Sequence, residues 1–138
     1  MASTVWWFQI VHGHESNNAS HELQKLVLRF SSRVTLQQVQ LLSHQFKIAQ
    51  RVELFIGAPA DGAPLPASGD VGIHYHKLGH FSLNSNERSS YQARELKTVY
   101  VPEASEGEFL KLLLHKSHVN EHNLFPQTGV LAIRAGGT

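Results

Sequence analysis

Cysteine is absent from this chain of 138 residues, which excludes disulfide staples and any cysteine-based zinc site. No apolar run reaches the roughly 20 residues that a membrane-spanning helix needs. Charge of one sign is missing too. With a formal net charge of +1 and scattered Lys and Arg, the chain has no phosphate-tracking footprint, so nucleic acid is not an expected partner. No basic leader precedes Val5-Trp6-Trp7-Phe8 and no small-residue cleavage site follows it, so a cytoplasmic location is expected. On that reading Asn18-Ala19-Ser20, which matches a glycosylation acceptor, is a loop.

The composition that is present, 41% hydrophobic and 17% charged, suits one folded domain over residues 1–138. Its strongest local signal is alternation of apolar and polar residues, the period-two pattern of a strand with one buried face. Trp6, Phe8 and Ile10 share a phase, as do Leu26, Leu28 and Phe30 against Lys25 and Arg29. Val52, Leu54 and Ile56, then Leu110, Leu112 and Leu114, then Leu131 and Ile133 repeat it. Val71, Ile73 and Tyr75, then Phe81 and Leu83, then Val99 and Val101 supply shorter strands. The stretch Val34 to Ala49 also approaches helical spacing at Leu36, Val39, Leu42 and Phe46; as a strand it needs a bulge at Gln37-Gln38 to restore its phase. Gly57 to Asp70, rich in Gly, Ala and Pro, reads as a mobile loop dispensable for folding, and Asn84 to Ser90 and Asn120 to Asn123 read as shorter loops. About eight or nine strands with little helix predict an all-β antiparallel sandwich or jelly roll, with Trp6, Phe8, Leu28, Leu54, Leu112 and Ile133 in one core.

Chemistry-bearing patterns are incomplete. His74-Tyr75-His76 places two imidazoles on one side of a strand, but Lys77-Leu78-Gly79-His80 stands where a metal-binding carboxylate belongs. His115, His118 and His122 have the spacing of a helical zinc triad, yet their flanks alternate as a strand and then turn. Ser43 and Ser117 adjoin histidines without a nucleophile elbow. No catalytic residue, metal or cofactor is therefore expected. Arg94-Glu95 reads as an ion pair or a rim contact, and Trp7 and Phe55, on the polar phase of their strands, read as exposed anchors or loop-covered aromatics.

Four stretches carry a resemblance: Leu41 to Ala49, Arg51 to Ile56, Ala93 to Val101 with its Ala-Arg-Glu-Leu-Lys, and Phe109 to Asn120 with His115-x-x-His118-Val119-Asn120. In order and over nearly the whole chain they resemble the N-terminal jelly-roll domain of the centrosomal proteins of 104 kDa, and more distantly galactose-binding-like and discoidin sandwiches. The resemblance implies a front domain of a larger centriolar, basal-body and ciliary-tip protein of the cytoskeleton, which binds tubulin and end-binding proteins through other regions. Between Leu23 and Gln24 that family carries a longer loop with Trp and Cys, which this sequence passes straight through by a natural or an engineered shortening. The expected function is non-catalytic protein interaction and scaffolding, the alternative a carbohydrate- or lipid-headgroup-binding module. The expected partner site is the loop end carrying Arg94, Glu95, His118, Asn120, His122 and Asn123, whose amides and imidazoles both donate and accept while Arg94 offers a forked donor.

Overall fold

The computed structural model of this chain describes residues 4–5 and 8–12 as backbone and residues 23–123 and 128–138 in full. Among the described residues seven strands follow in order: β1 (Thr4–Val5), β2 (Phe8–His12), β3 (Leu23–Ser43), β4 (Arg51–Pro59), β5 (Ile73–Ser82), β6 (Leu96–His115) and β7 (Val130–Gly137). Among the described residues a single 3-10 turn, Glu87–Ser89, interrupts the all-β pattern.

Strands β3 and β6, 21 and 20 residues long, organise the fold by pairing antiparallel along both of their arms. In one arm Leu23 to Arg29 face His115 to Phe109; in the other Val34 to Leu42 face Gly107 to Leu96. β4 joins only the 109–114 stretch of β6 and β5 joins β4, while β2 lies against the first arm of β3. β7 joins the second arm of β3, and β1 joins β7. Each long strand thus serves two leaflets, bending at the exposed Ser31-Ser32-Arg33 on β3 and near the buried Gly107 on β6. Leu28, Leu54, Ile56, Leu110 and Leu112 from the first leaflet meet Val39, Leu41 and Ala135 from the second in one buried cluster, and Ile133 packs on its edge. Alternation chose those positions, since each faces inward and a one-residue slip would turn the set to water. Trp6 lies outside the described residues, as does the Phe8 side chain.

The nine alternating segments become seven strands because three neighbouring pairs fuse and Thr4–Val5 stands apart. Val34 to Ser43 is strand, with the register shift between Leu36 and Gln38, where the change of phase requires it. Val71 lies outside β5 and is 86% exposed, in a turn whose flanking Gly69 and Gly72 take positive φ.

The loop expected to start at Gly57 starts later: Gly57 to Pro59 pair with Tyr75 to Ile73 as part of β4. The remainder is anchored on the outer face of the first leaflet. Arg29 Nη1 donates to Pro66 O at 3.1 Å, Lys25 Nζ lies 3.4 Å from Asp70, and Tyr75 Oη donates to Asp70 Oδ2 at 3.0 Å. The Arg29 guanidinium sits 5.6 Å from the ring centre of Phe109, which is fully buried although it is on the outward phase of β6. Lys111 Nζ lies 4.5 Å from the ring centre of Phe55 and 4.3 Å from that of Tyr75, so Phe55 is half-covered by a cation. Burial, then the neighbouring Lys25, lower the Lys111 pKa. Replacing residues 60–70 by a Gly-Ser turn is expected to cost roughly 1–3 kcal/mol through loss of the Pro66 and Asp70 contacts. Urea denaturation of the shortened chain checks this, and unchanged stability would return the segment to the dispensable class.

On the same face Glu53 accepts from Lys77 Nζ at 2.7 Å and pairs with His115 Nε2. The Lys77 and then the His115 hydrogen bond hold its carboxyl down to about 2, below an ordinary value of 4.5. The unfolded chain therefore binds more protons between those values, so stability present above about pH 4.5 falls away as pH drops toward 2. With Lys77 at 42% side-chain exposure, solvent screening limits the effect to about 1 kcal/mol. A Tm series from pH 5 to 2, run beside Glu53→Gln, should show the steeper fall only in the parent protein.

Candidate functional site

Three connections meet at one end of the sandwich: the turn 44–50 between β3 and β4, the loop 83–95 between β5 and β6, and the segment 116–123 after β6. Backbone bonds tie them together, Ser43 N to Glu95 O, Gln50 N to Lys116 O, Leu83 N to Gln50 O and His118 N to Ile48 O, all between 2.8 and 3.3 Å. The turn is closed by a side chain, because His44 Nδ1 accepts from the amides of Phe46 and Lys47, each at 3.1 Å. That role needs a neutral ring, and burial, then Lys47 and Arg94, lower the His44 pKa to match.

The 83–95 loop is organised around Asn86. Its Nδ2 donates to Gln45 O at 2.8 Å and Ala93 O at 2.6 Å, its Oδ1 accepts from Ser89 Oγ, and its amide donates to Asn84 Oδ1 at 2.7 Å. Asn86, Ser90 and Tyr91 all hold left-handed φ values, of 70°, 57° and 61°. Asparagine tolerates that region through local side-chain bonds, whereas a tyrosine there is uncommon and is held by its surroundings.

Between these loops opens a cleft of about 460 Å³ lined by Gln45, Phe46, Ser90, Tyr91, Gln92, Arg94 and His122, within the size range of small-ligand sites. One wall is aromatic: His122 lies 5.6 Å from Phe46 and 4.9 Å from Tyr91 between ring centres, and His44 stacks edge-on behind Phe46 at 4.4 Å. The other carries Arg94, exposed, whose Nε donates to Gln45 Oε1 at 3.2 Å.

The six sequence-expected residues divide. Arg94 and His122 line the cleft. Glu95 instead accepts from Asn84 N at 2.9 Å, and among the described residues it forms no ion pair with Arg94. His118 Nε2 donates to Leu83 O at 2.8 Å, and Asn120 bridges Phe46 O and His122 N, at 2.9 Å each. Asn123 is buried, with its amide on Asn120 O and its Nδ2 3.4 Å from Ser117 Oγ. These four shape the loops on which the cleft stands. Gln45, Phe46, Ser90, Tyr91 and Gln92 escaped the sequence reading. The signal available was the Asn84-x-Asn86 and Ser89-Ser90 cluster, whose short polar side chains favour tight local turns.

The histidine patterns separate in space. His115 goes to Glu53, His118 to Leu83 O and His122 to the aromatic wall. Among the described residues no three His, Asp or Glu gather as metal ligands, and His74 and His76 are exposed on β5. A second recess between the leaflets, of about 460 Å³, is walled mainly by Leu26, Leu28, Leu114, Val130 and Ile133, with Gln24, Lys25 and Thr128 as its polar lining.

Solved structures share the fold at low identity. A structure of reduced XRCC1 bound to the DNA polymerase β catalytic domain aligns at TM-score 0.63 and 12% identity over 96% of this chain and 97% of that one. The family 32 carbohydrate-binding module of NanJ from C. perfringens, in complex with galactose, aligns at 0.56 and 11% over 90% and 74%. By sequence the chain is 38% identical over 116 residues to the Homo sapiens centrosomal protein of 104 kDa and 36% over 114 to the Mus musculus protein, 83% of this chain in each case. It spans 12% of the length of those relatives. The family profile for the N-terminal domain of centrosomal protein CEP104 matches residues 13–137, and the chain belongs to that family.

Proposed function

We propose that this domain is a non-catalytic protein-interaction and scaffold module of a centriolar and ciliary-tip protein, and that its partner docks on the cleft between the three loops. Family membership supports the setting, since the relatives named above are centrosomal proteins. Tubulin and end-binding contacts belong, on this reading, to the parts of the larger protein outside this chain. The observation that carries the docking reading is the pairing of Arg94 with an aromatic wall on a loop frame bonded from within. Arginine and aromatic side chains are the types that most often dominate interface energy. A solved neighbour of the same fold is bound to a protein, which supports the sandwich as a docking scaffold.

Affinity capture from ciliated-cell lysate, comparing the parent chain with Arg94→Ala plus His122→Ala at matched Tm, tests this. Loss of a reproducible partner in the double variant is expected; undiminished capture would overturn the reading. A carbohydrate-binding role is the second reading, favoured by the same mixture of aromatic and polar groups and by the galactose-bound neighbour. Saturable galactose binding on a glycan array, lost in the double variant, would replace the first reading with the second.

A further inference from the structure

Taking the cleft as a protein-docking site, we propose that Arg94 seats a side-chain carboxylate from an internal acidic segment of the partner, while Phe46, Tyr91 and His122 pack the residue beside it. Three observations converge. The Arg94 Nε bond to Gln45 Oε1 orients the guanidinium and leaves both Nη amines for a ligand. Among the described residues no carboxylate lies within ion-pair distance of Arg94, and its neighbour Glu95 is occupied with Asn84 N. A guanidinium so held matches a carboxylate with two parallel bonds, which a point-like ammonium cannot do.

The surroundings narrow the ligand further. A free chain terminus is captured by backbone amides pointing into a concavity. Here the amides of Ser90, Tyr91 and Gln92 are bonded to Glu87 O, Asn86 O and Ser89 O, that of Ala93 to Ser89 Oγ, and those of Phe46 and Lys47 to His44. That leaves a side-chain carboxylate as the ligand group. The aromatic wall next to Arg94 provides stacking surface for an apolar or aromatic neighbour of the acidic residue.

Nitrogen-15 NMR titration of the chain with acetyl-Phe-Glu-amide, acetyl-Phe-Gln-amide, acetyl-Phe-Gln with a free C-terminus, and galactose tests the proposal. The Glu peptide is expected to shift the Arg94 side-chain and Tyr91 amide signals saturably and to bind about tenfold more tightly than the Gln amide, the size of one charged hydrogen-bonded contact. Arg94→Gln should abolish that preference at unchanged Tm, and Arg94→Lys should recover only part of it. Equal binding of the Glu and Gln amides, tighter binding of the free terminus, binding of galactose alone, or no shift with any probe would overturn the carboxylate seat. If the seat fails while the Arg94→Ala, His122→Ala double variant still loses its captured partner, the docking reading stands without it. If capture is unaffected, docking at the cleft fails as well.

Discussion

Replacing Leu112 with alanine is expected to destabilise the domain by roughly 2–5 kcal/mol, the range for removing a large aliphatic side chain from a filled core. Leu112 is fully buried and sits at the centre of the first leaflet, with Leu26 opposite on β3 and Leu54 opposite on β4. No single neighbour can move in to fill the void, because both flanking strands are held in register along their ladders. Leu113→Ala, one residue along on the outward phase, should cost much less. Urea denaturation of both variants checks the pair. Equal losses would show that the inward phase of β6 is not the one assigned here.

Gly107→Ala is expected to cost about 1–3 kcal/mol, although it adds a single methyl group. Gly107 lies where β6 passes from one leaflet to the other, and a Cβ built there falls 2.6 Å from Ile56 Cγ1 and 2.7 Å from the carbonyl oxygen of Gly57. The Ile56 side chain can rotate away. The Gly57 carbonyl cannot, since β4 is paired on both sides at that point. Thermal unfolding of Gly107→Ala beside Glu108→Ala separates this close approach from a general effect on the strand, and a loss below about 0.5 kcal/mol would contradict it.

The inward residues of the two leaflets were legible because a strand with one buried face writes its period into the sequence. Leu26, Leu28, Phe30, Val52, Leu54, Ile56, Leu110, Leu112 and Leu114 carry that signal without help from pairing. Even the register shift after Leu36 follows from the change of phase between Leu36 and Val39. Strand count was not legible, since Ser31-Ser32-Arg33 has the composition of a turn whether the chain reverses there or only bends into the next leaflet. Long-range pairing with β6 decides that, and no local pattern reports it.

The outer face misled for a related reason. Arg29 alternates with Leu28 and Phe30 as a solvent-facing residue should, yet its guanidinium lies over the Phe109 ring and donates to Pro66 O. A long cation can occupy the polar phase and still roof an apolar residue. At the loop end, Arg94 and His122 were singled out by residue type, but Phe46 and Tyr91 were not. Phe46 fits an apolar periodicity and Tyr91 stands in a polar loop, so only the convergence of three connections reveals that they share a wall.

The proposed docking of a partner on the cleft is tested most directly by the amide hydrogen-exchange footprint of the domain in its captured complex. Slowed exchange is predicted in residues 44–47, 86–94 and 118–122, beyond the protection already present in the free chain, with strand β5 and the outer face of the first leaflet unchanged. New protection confined to the exposed Leu96 and Tyr100 face, or to the 60–72 loop, with none around Arg94 and His122, would contradict it.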